Sequence, residues 1–252
     1  MERDWNQELE SRVAWIRNIL GITPTSPGAG VVYGNSGGKD CTLAGILCRR
    51  ATQNVLGVIM PCQSSQNYGS DRDHALLVAK QYDIQTIEVD ISGVKRSFLD
   101  TLGPALKEVA RASEGAEMGK MNMNPRLRMI VLYTLAQSRG AFVCGTGNRS
   151  EAQMGYFTKW GDGAYDFNPI ADLTVSEIFD FLRFLGAPDA IINKAPSAGL
   201  FEGQTDEGEM GISYADIDRF LLSGEGDSSV VEKIVARQRA SAHKRMKPPT
   251  YG

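Results

Sequence analysis

Short apolar runs alternate along this chain with stretches of helical periodicity. Trp5, Leu9, Val13, Ile16 and Leu20 recur near the helical repeat, which predicts a helix over 5–20 stopped by Gly21 and Pro24. Val31-Val32-Tyr33 is a short apolar strand, then come glycines, then Leu43, Ile46 and Leu47 at helical spacing. A second strand runs over 55–60 and ends at Pro61, and 71–82 fits a helix. A third strand is expected over 84–89, helices over 94–112 and 121–138, and a fourth strand over 141–144 ended by Gly145. Beyond residue 155 Gly, Asp, Asn and Pro are frequent, and the remaining order reads as helices over 174–185, 213–223 and 228–242. Residues 195–211 read as a loop; long loops inside compact domains are usually functional or disordered.

Strands alternating with helices predict an α/β fold with a parallel twisted sheet flanked by helices. Helices then cover both faces, so the strands should be apolar throughout. A helical C-terminal part over 174–252 completes a single domain spanning 1–252, with no internal repeat.

Composition narrows the class. A net charge of −3 gives no global basic field for nucleic acid, so no nucleic-acid partner is expected. No apolar run reaches the roughly 18 residues a membrane span needs, and the charged start, Met1-Glu2-Arg3-Asp4-Trp5, has no signal-peptide core. Cys41, Cys48, Cys62 and Cys144 lack C-x-x-C spacing, so reduced thiols in a cytoplasmic protein are expected.

The strongest chemical signal is Gly34-Asn35-Ser36-Gly37-Gly38-Lys39-Asp40-Cys41, between the first strand and its helix. Glycines let backbone amides approach an anion, and the helix N-terminus aims free N–H groups at the same point. Ser36 adds a hydroxyl and Lys39 a charge, while a carboxylate beside phosphate, Asp40, implies an intervening Mg²⁺. The loop is neither Walker A, because Tyr33 holds the first glycine position and Asp40 replaces Ser/Thr, nor a G-x-G-x-x-G fingerprint. The alternative is a glycine-rich turn with Asp40 as a first-turn charge. The second cluster, Gly145-Thr146-Gly147-Asn148-Arg149-Ser150-Glu151 and Phe157-Thr158-Lys159-Trp160-Gly161-Asp162-Gly163, starts where the fourth strand ends. Ligands of open α/β sheets bind outside the carboxyl ends of strands, so both loops should face one crevice. Thr146 offers a hydroxyl there, and Glu151 with Asp40 can reach one metal.

S-G-G-x-D after the first strand resembles the loop of the N-type ATP pyrophosphatases, whose fold is of the adenine nucleotide alpha hydrolase type. The F-T-K-x-G-D-G string resembles ammonia-dependent NAD synthetases, over about residues 30–247. The resemblance implies a ligase that amidates deamido-NAD with ammonia through an adenylated carboxylate. ATP is its co-substrate and Mg²⁺ its metal, and it acts as a cytoplasmic homodimer without a glutaminase domain. By matched position it implies ATP contacts from residues 34–41, Met60, Thr146 and Ser197, and metal ligation by Asp40 and Glu151. Arg126, Lys159, Asp166, His243 and Lys244 match deamido-NAD contacts. Lys39 would assist the departing pyrophosphate, and Asp162 would help take a proton from ammonium. Lys194–Leu200 and Gly203–Ile212 resemble the family's mobile loop, and the helix near 121–138 is the expected dimer face.

Departures are specific. Cys41 stands where many members have Ser, and a thiol is the weaker donor. Val175 replaces a lysine that helps hold ATP phosphates, Ser197 a Thr, and Ile59 an Arg near adenine, which leaves more adenine reading to the Met60 backbone. Arg126 and Arg128 at i, i+2 cannot share a helix face, so one is assigned to ligand and one to a structural acid. A solvated basic tail for His243 and Lys244 and a surface position for His74 are the alternatives to functional roles. Cys62 and Cys144 read as buried strand-end thiols.

Overall fold

The computed structural model describes residues 3–62, 68–109, 113–194 and 206–251. Four strands form one parallel sheet, β1 (Gly30–Gly34), β2 (Val55–Ile59), β3 (Gln85–Glu88) and β4 (Ala141–Cys144), in the order β3-β2-β1-β4. The chain therefore steps outward from β1 to β3, then returns to the other side of β1 for β4. Ligand crevices form at such a reversal.

Side chains alternate across the central strands, as a period of two requires. Val31 and Tyr33 point into one core layer with α2 (Lys39–Ala51), whose Leu43, Ile46 and Leu47 are fully buried. Each such side chain contributes ~2 kcal/mol by leaving water. α1 (Trp5–Ile19) closes that layer. Asp4 caps it by accepting from Asn6 N–H and Gln7 N–H, and Ile16 enters the core. Val32, with Leu56, Val58 and Val143, faces the opposite layer under α6 (Met123–Arg139).

α3 (Ser70–Gln81) packs on β2 and β3. α4 (Ser92–Val109) and α5 (Ser113–Met121) precede α6. α7 (Arg149–Met154) follows β4, and α8 (Val175–Phe184) and α9 (Asp189–Ile192) follow it. The helical C-terminal part is α10 (Asp206–Met210), α11 (Tyr214–Ser223), α12 (Ser228–Ala240) and α13 (Ala242–Arg245). Met154, Val175, Met210, Ile212, Tyr214, Ile217 and Ile234 form its own small core against α7 and α8.

Three expectations are corrected. β3 is not apolar throughout: its two end residues, Gln85 and Glu88, are exposed and the residues between them half-buried, because β3 is the edge strand of the sheet. Residues 113–121 form a helix that carries too few apolar positions, and Gly115 and Gly119, to show periodicity. Within the expected loop over 195–211, Asp206–Met210 is helical, its three acids lying in the first turn. Residues 195–205, with Ser197, lie outside the described residues.

Candidate active site

β1, β2 and β4 deliver their C-terminal ends to one cleft of about 900 Å³, at the upper end of ordinary ligand pockets. Gly34, Asn35, Ser36, Lys39, Asp40, Cys41, Met60, Thr146, Glu151, Asp162 and Lys244 all line it. The two loops predicted to converge do so.

The phosphate loop is held from within. Gly37 has φ +67°, and a Cβ there would lie 2.3 Å from the Asp71 carbonyl oxygen and 2.9 Å from His74 Cβ. Only glycine fits that approach to α3. Asn35 is buried; its Oδ1 accepts from Gly37 N–H (3.3 Å) and its Nδ2 donates to the Ala75 carbonyl (3.2 Å). The Cys41 thiol turns inward, 3.2 Å from Ser36 Oγ, and takes the Gly38 N–H at 3.3 Å. Ser36 itself is exposed to the cleft. Lys194 closes the loop's far side, paired with Asp71 at 2.6 Å and 3.4 Å from the Gly37 carbonyl.

Lys39, the first residue of α2, buries its ammonium among carboxylates. Asp40 Oδ2 is 2.8 Å away and Glu151 Oε1 4.0 Å. Burial pulls its pKa down, but the charges of Asp40 and Glu151 outweigh that and raise it. Glu151 is pushed up to about 8, by burial first and the Asp40 charge second. Asn148 joins the two acids: its side chain donates to Asp40 Oδ1 (3.1 Å), its backbone N–H donates to Glu151 Oε2 (3.2 Å), and its Oδ1 caps α7 by accepting from the Glu151 N–H (2.9 Å). It is fully buried. A neutral linker between two carboxylates keeps them from separating, and nothing in the sequence pattern singled it out.

Behind Lys39 lie Asp206 and Tyr214, both buried. The Tyr214 hydroxyl donates to Asp206 Oδ2 (3.0 Å), and its ring lies 5.6 Å from Lys39 Nζ. Burial, then the Glu151 and Asp206 charges, raise the Tyr214 phenol. Asp162 opens onto the cleft while protein crowds its other sides, and that crowding raises its pKa; its Oδ1 accepts from the Thr158 N–H at 2.9 Å. Lys244 is lowered by burial and donates to the Gly155 and Phe157 carbonyls, both at 2.8 Å.

Four residues matched to the dinucleotide stand outside the cleft lining: Arg126, Lys159, Asp166 and His243. Arg126 is exposed and donates to the Lys159 carbonyl (3.4 Å), and Lys159 Nζ donates to the His243 carbonyl (2.8 Å). They form one basic ridge beside exposed Trp160, whose backbone has φ +64°, a costly conformation for a bulky residue. Asp166 accepts from the Val143 N–H (2.7 Å) and the Tyr133 hydroxyl (3.3 Å) at the outer edge of β4. Of the arginine pair it is Arg128 that lines the cleft, donating to the Met60 carbonyl at 3.3 Å. That bond occupies the Met60 carbonyl, one of the two backbone groups with which Met60 could read adenine. Val175 is buried in the apolar C-terminal core, as a lysine there would not be. His74, expected at the surface, is half-buried against Gly37. All four cysteines are free thiols and buried, and Cys48 Sγ lies 3.6 Å from Cys144 Sγ.

A parallel sheet wrapped on both faces, with a glycine loop at its switch point and a carboxylate pair across from it, defines a nucleotide-binding α/β protein of the pyrophosphatase-loop type. Within that class the chain belongs to the NAD synthase family, whose sequence model matches residues 8–248. It is 41% identical over 249 residues to the NH(3)-dependent NAD(+) synthetase of Carboxydothermus hydrogenoformans, covering 98% of each chain. Among solved structures it resembles the NMN synthetase from Francisella tularensis, with TM-score 0.87, 33% identity and 99% of each chain covered. It also resembles the NH3-dependent NAD synthetase from Campylobacter jejuni, with TM-score 0.76, 27% identity and full coverage of both chains.

Proposed function

We propose that this protein is a ligase that amidates deamido-NAD with ammonia at the expense of ATP. The acceptor carboxylate oxygen attacks the ATP α-phosphorus, the α–β phosphoanhydride bond breaks, and pyrophosphate leaves. Ammonia then attacks the acyl carbon, the acyl–oxygen bond breaks, and AMP leaves with NAD as product. The observation that carries this reading is the meeting of Asp40 and Glu151 within 4.0 Å of one buried ammonium at the mouth of a glycine phosphate loop.

The donor set fits Mg²⁺. Among the described residues no group of three His, Cys, Asp or Glu side chains could hold an ion. Two carboxylates plus phosphate oxygens are what Mg²⁺ with a nucleotide uses. Asp40 and Glu151 would hold it: they flank one cleft, and burial together with the Asp40 charge raises the Glu151 carboxyl despite the nearby Lys39 ammonium. When bound, the ion would neutralise charge growing on the departing pyrophosphate. Ser36 and the first amides of α2 orient the phosphates, and Lys39 adds charge beside them. Thr146, just past β4, would offer its hydroxyl to the nucleotide, and Asp162, which lines the same cleft, would help take a proton from ammonium.

In a homodimer, the exposed ridge of Arg126, Lys159 and His243 would hold a dinucleotide that reaches across to the partner subunit. Four buried free thiols fit the reducing cytoplasm. A second reading keeps the chemistry and shortens the acceptor: the likeness to an NMN synthetase structure favours nicotinate mononucleotide. The test is to mix protein, ATP, Mg²⁺ and ammonium with either acceptor, following amide product and pyrophosphate. Deamido-NAD should be the better acceptor; a preference for the mononucleotide establishes the second reading. No amide from either overturns both. Asp40→Asn should abolish turnover with its melting temperature kept, and chelation of divalent ions should do the same.

A further inference from the structure

Asp206 has no part in the steps above, yet it is among the most deeply placed acids of the cleft. Its residue is 3% exposed and lines the cavity from the C-terminal part, not from the sheet. Its carboxylate accepts from the Tyr214 hydroxyl at 3.0 Å, and its charge reaches Lys39 and Glu151. The Tyr214 ring lies 5.6 Å from the Lys39 ammonium, within cation–π range. A phenol that donates its proton to a carboxylate carries more electron density on its ring, so Asp206 strengthens that contact.

Charge accounting gives the pair a task. Lys39 is paired with Asp40 at 2.8 Å and neighbours Glu151 at 4.0 Å. If both acids turn to a metal, the buried ammonium loses its two nearest counter-charges. The ATP phosphates would compensate it from the cleft side, but a buried cation left bare on its protein side is disfavoured there. Among the described residues, Asp206 and Tyr214 are the groups that face it from that side. We infer that Asp206 is a positioning residue for adenylation: through Tyr214 it provides a second seat that keeps Lys39 aimed at the phosphates once Asp40 and Glu151 are engaged. This inference rests on the metal-site reading above.

The experiment compares the wild type with Asp206→Asn, Asp206→Glu and Tyr214→Phe. In Asp206→Asn, kcat should fall ~10- to 100-fold, the loss usual when a group that orients an active-site residue from behind is removed. The KM for ATP should stay within about threefold of wild type, because the phosphate loop is untouched. Asp206→Glu should recover part of the rate, and Tyr214→Phe, which keeps the ring, should fall between. A second readout is the side-chain ammonium resonance of Lys39, identified through Lys39→Arg. With Mg²⁺ and a non-hydrolysable ATP analogue it should stay sharp in the wild type and broaden away in Asp206→Asn. An unchanged kcat in Asp206→Asn, an ATP KM that absorbs the whole effect, or a sharp Lys39 resonance in that variant overturns the inference. If Asp206→Asn does not fold, Tyr214→Phe carries the same comparison, and its equality with wild type on both readouts counts against the proposal. Wild-type turnover that persists without divalent ions would instead remove the metal-site reading.

Discussion

Gly37 and Gly38 are neighbours with different duties. A methyl group on Gly37 would strike the Asp71 carbonyl and the Ala75 amide, at 2.3 and 2.8 Å, in a backbone already at φ +67°. Gly37→Ala should therefore lower stability by ~1–3 kcal/mol, read as a fall in melting temperature. A Cβ on Gly38 meets only Ser36 Oγ, at 3.4 Å, so Gly38→Ala should fold normally. Its methyl group would stand where phosphate approaches, and the KM for ATP should rise about tenfold. That the turns carrying Asp40 and Glu151 would meet was legible in the sequence, because both follow the C-terminal ends of strands in an open α/β sheet. Asn148 and Asp206 were not, for opposite reasons. Asn148 is one polar letter within a loop motif, and its value lies in a contact 108 positions away. Asp206 sits in a stretch with no periodicity to say which way it points. The Arg126–Arg128 spacing showed that the two diverge, but only packing says that Arg128 faces inward.

Elements are joined here by buried acids as much as by apolar contact. Asp218 on α11 is 4% exposed and accepts from Ser150 Oγ (2.5 Å), Ser176 N–H (2.7 Å) and Ser176 Oγ (2.8 Å). It thereby ties α11 to α7, which carries Glu151, and to α8. Asp218→Ala leaves those donors unpaired and should cost ~2–5 kcal/mol, seen in denaturant unfolding. α1 is fastened by a different cluster: Arg12 donates to Asp172 at 2.7 and 2.8 Å and to Glu8 at 2.7 and 3.0 Å. Burial alone would raise Asp172, but the Arg12 hydrogen bonds and charge prevail and hold it below its ordinary 3.8. An acid depressed in the folded state contributes stability above that value and loses it as pH falls through and below it. Acid titration of the melting temperature should thus show a steeper decline below pH 3.8 in the wild type than in Arg12→Met. Strand and helix order was readable from periodicity, and most boundaries fell within a residue or two. β3 departed because an edge strand has a neighbour on one side only, which leaves its end residues open to water.

At the scale of the molecule, one reversal of strand order brings groups from residues 34–41 and 145–151 to a single cleft, and the C-terminal part adds Asp206 and Glu209 to it. The exposed ridge and α6, where Ile130 is 55% exposed, face outward instead. If the dimer buries α6, Ile130→Glu should yield monomers in sedimentation experiments and raise the KM for the dinucleotide more than that for ATP. The phosphate loop has one more consequence. Its turns are already locked by Asn35, Cys41 and the first turn of α3, so on the proposed reading ATP would meet a finished mould instead of shaping one. Little chain entropy would then be surrendered at each encounter, and departing AMP would leave a receptor ready for the next nucleotide without refolding between turnovers.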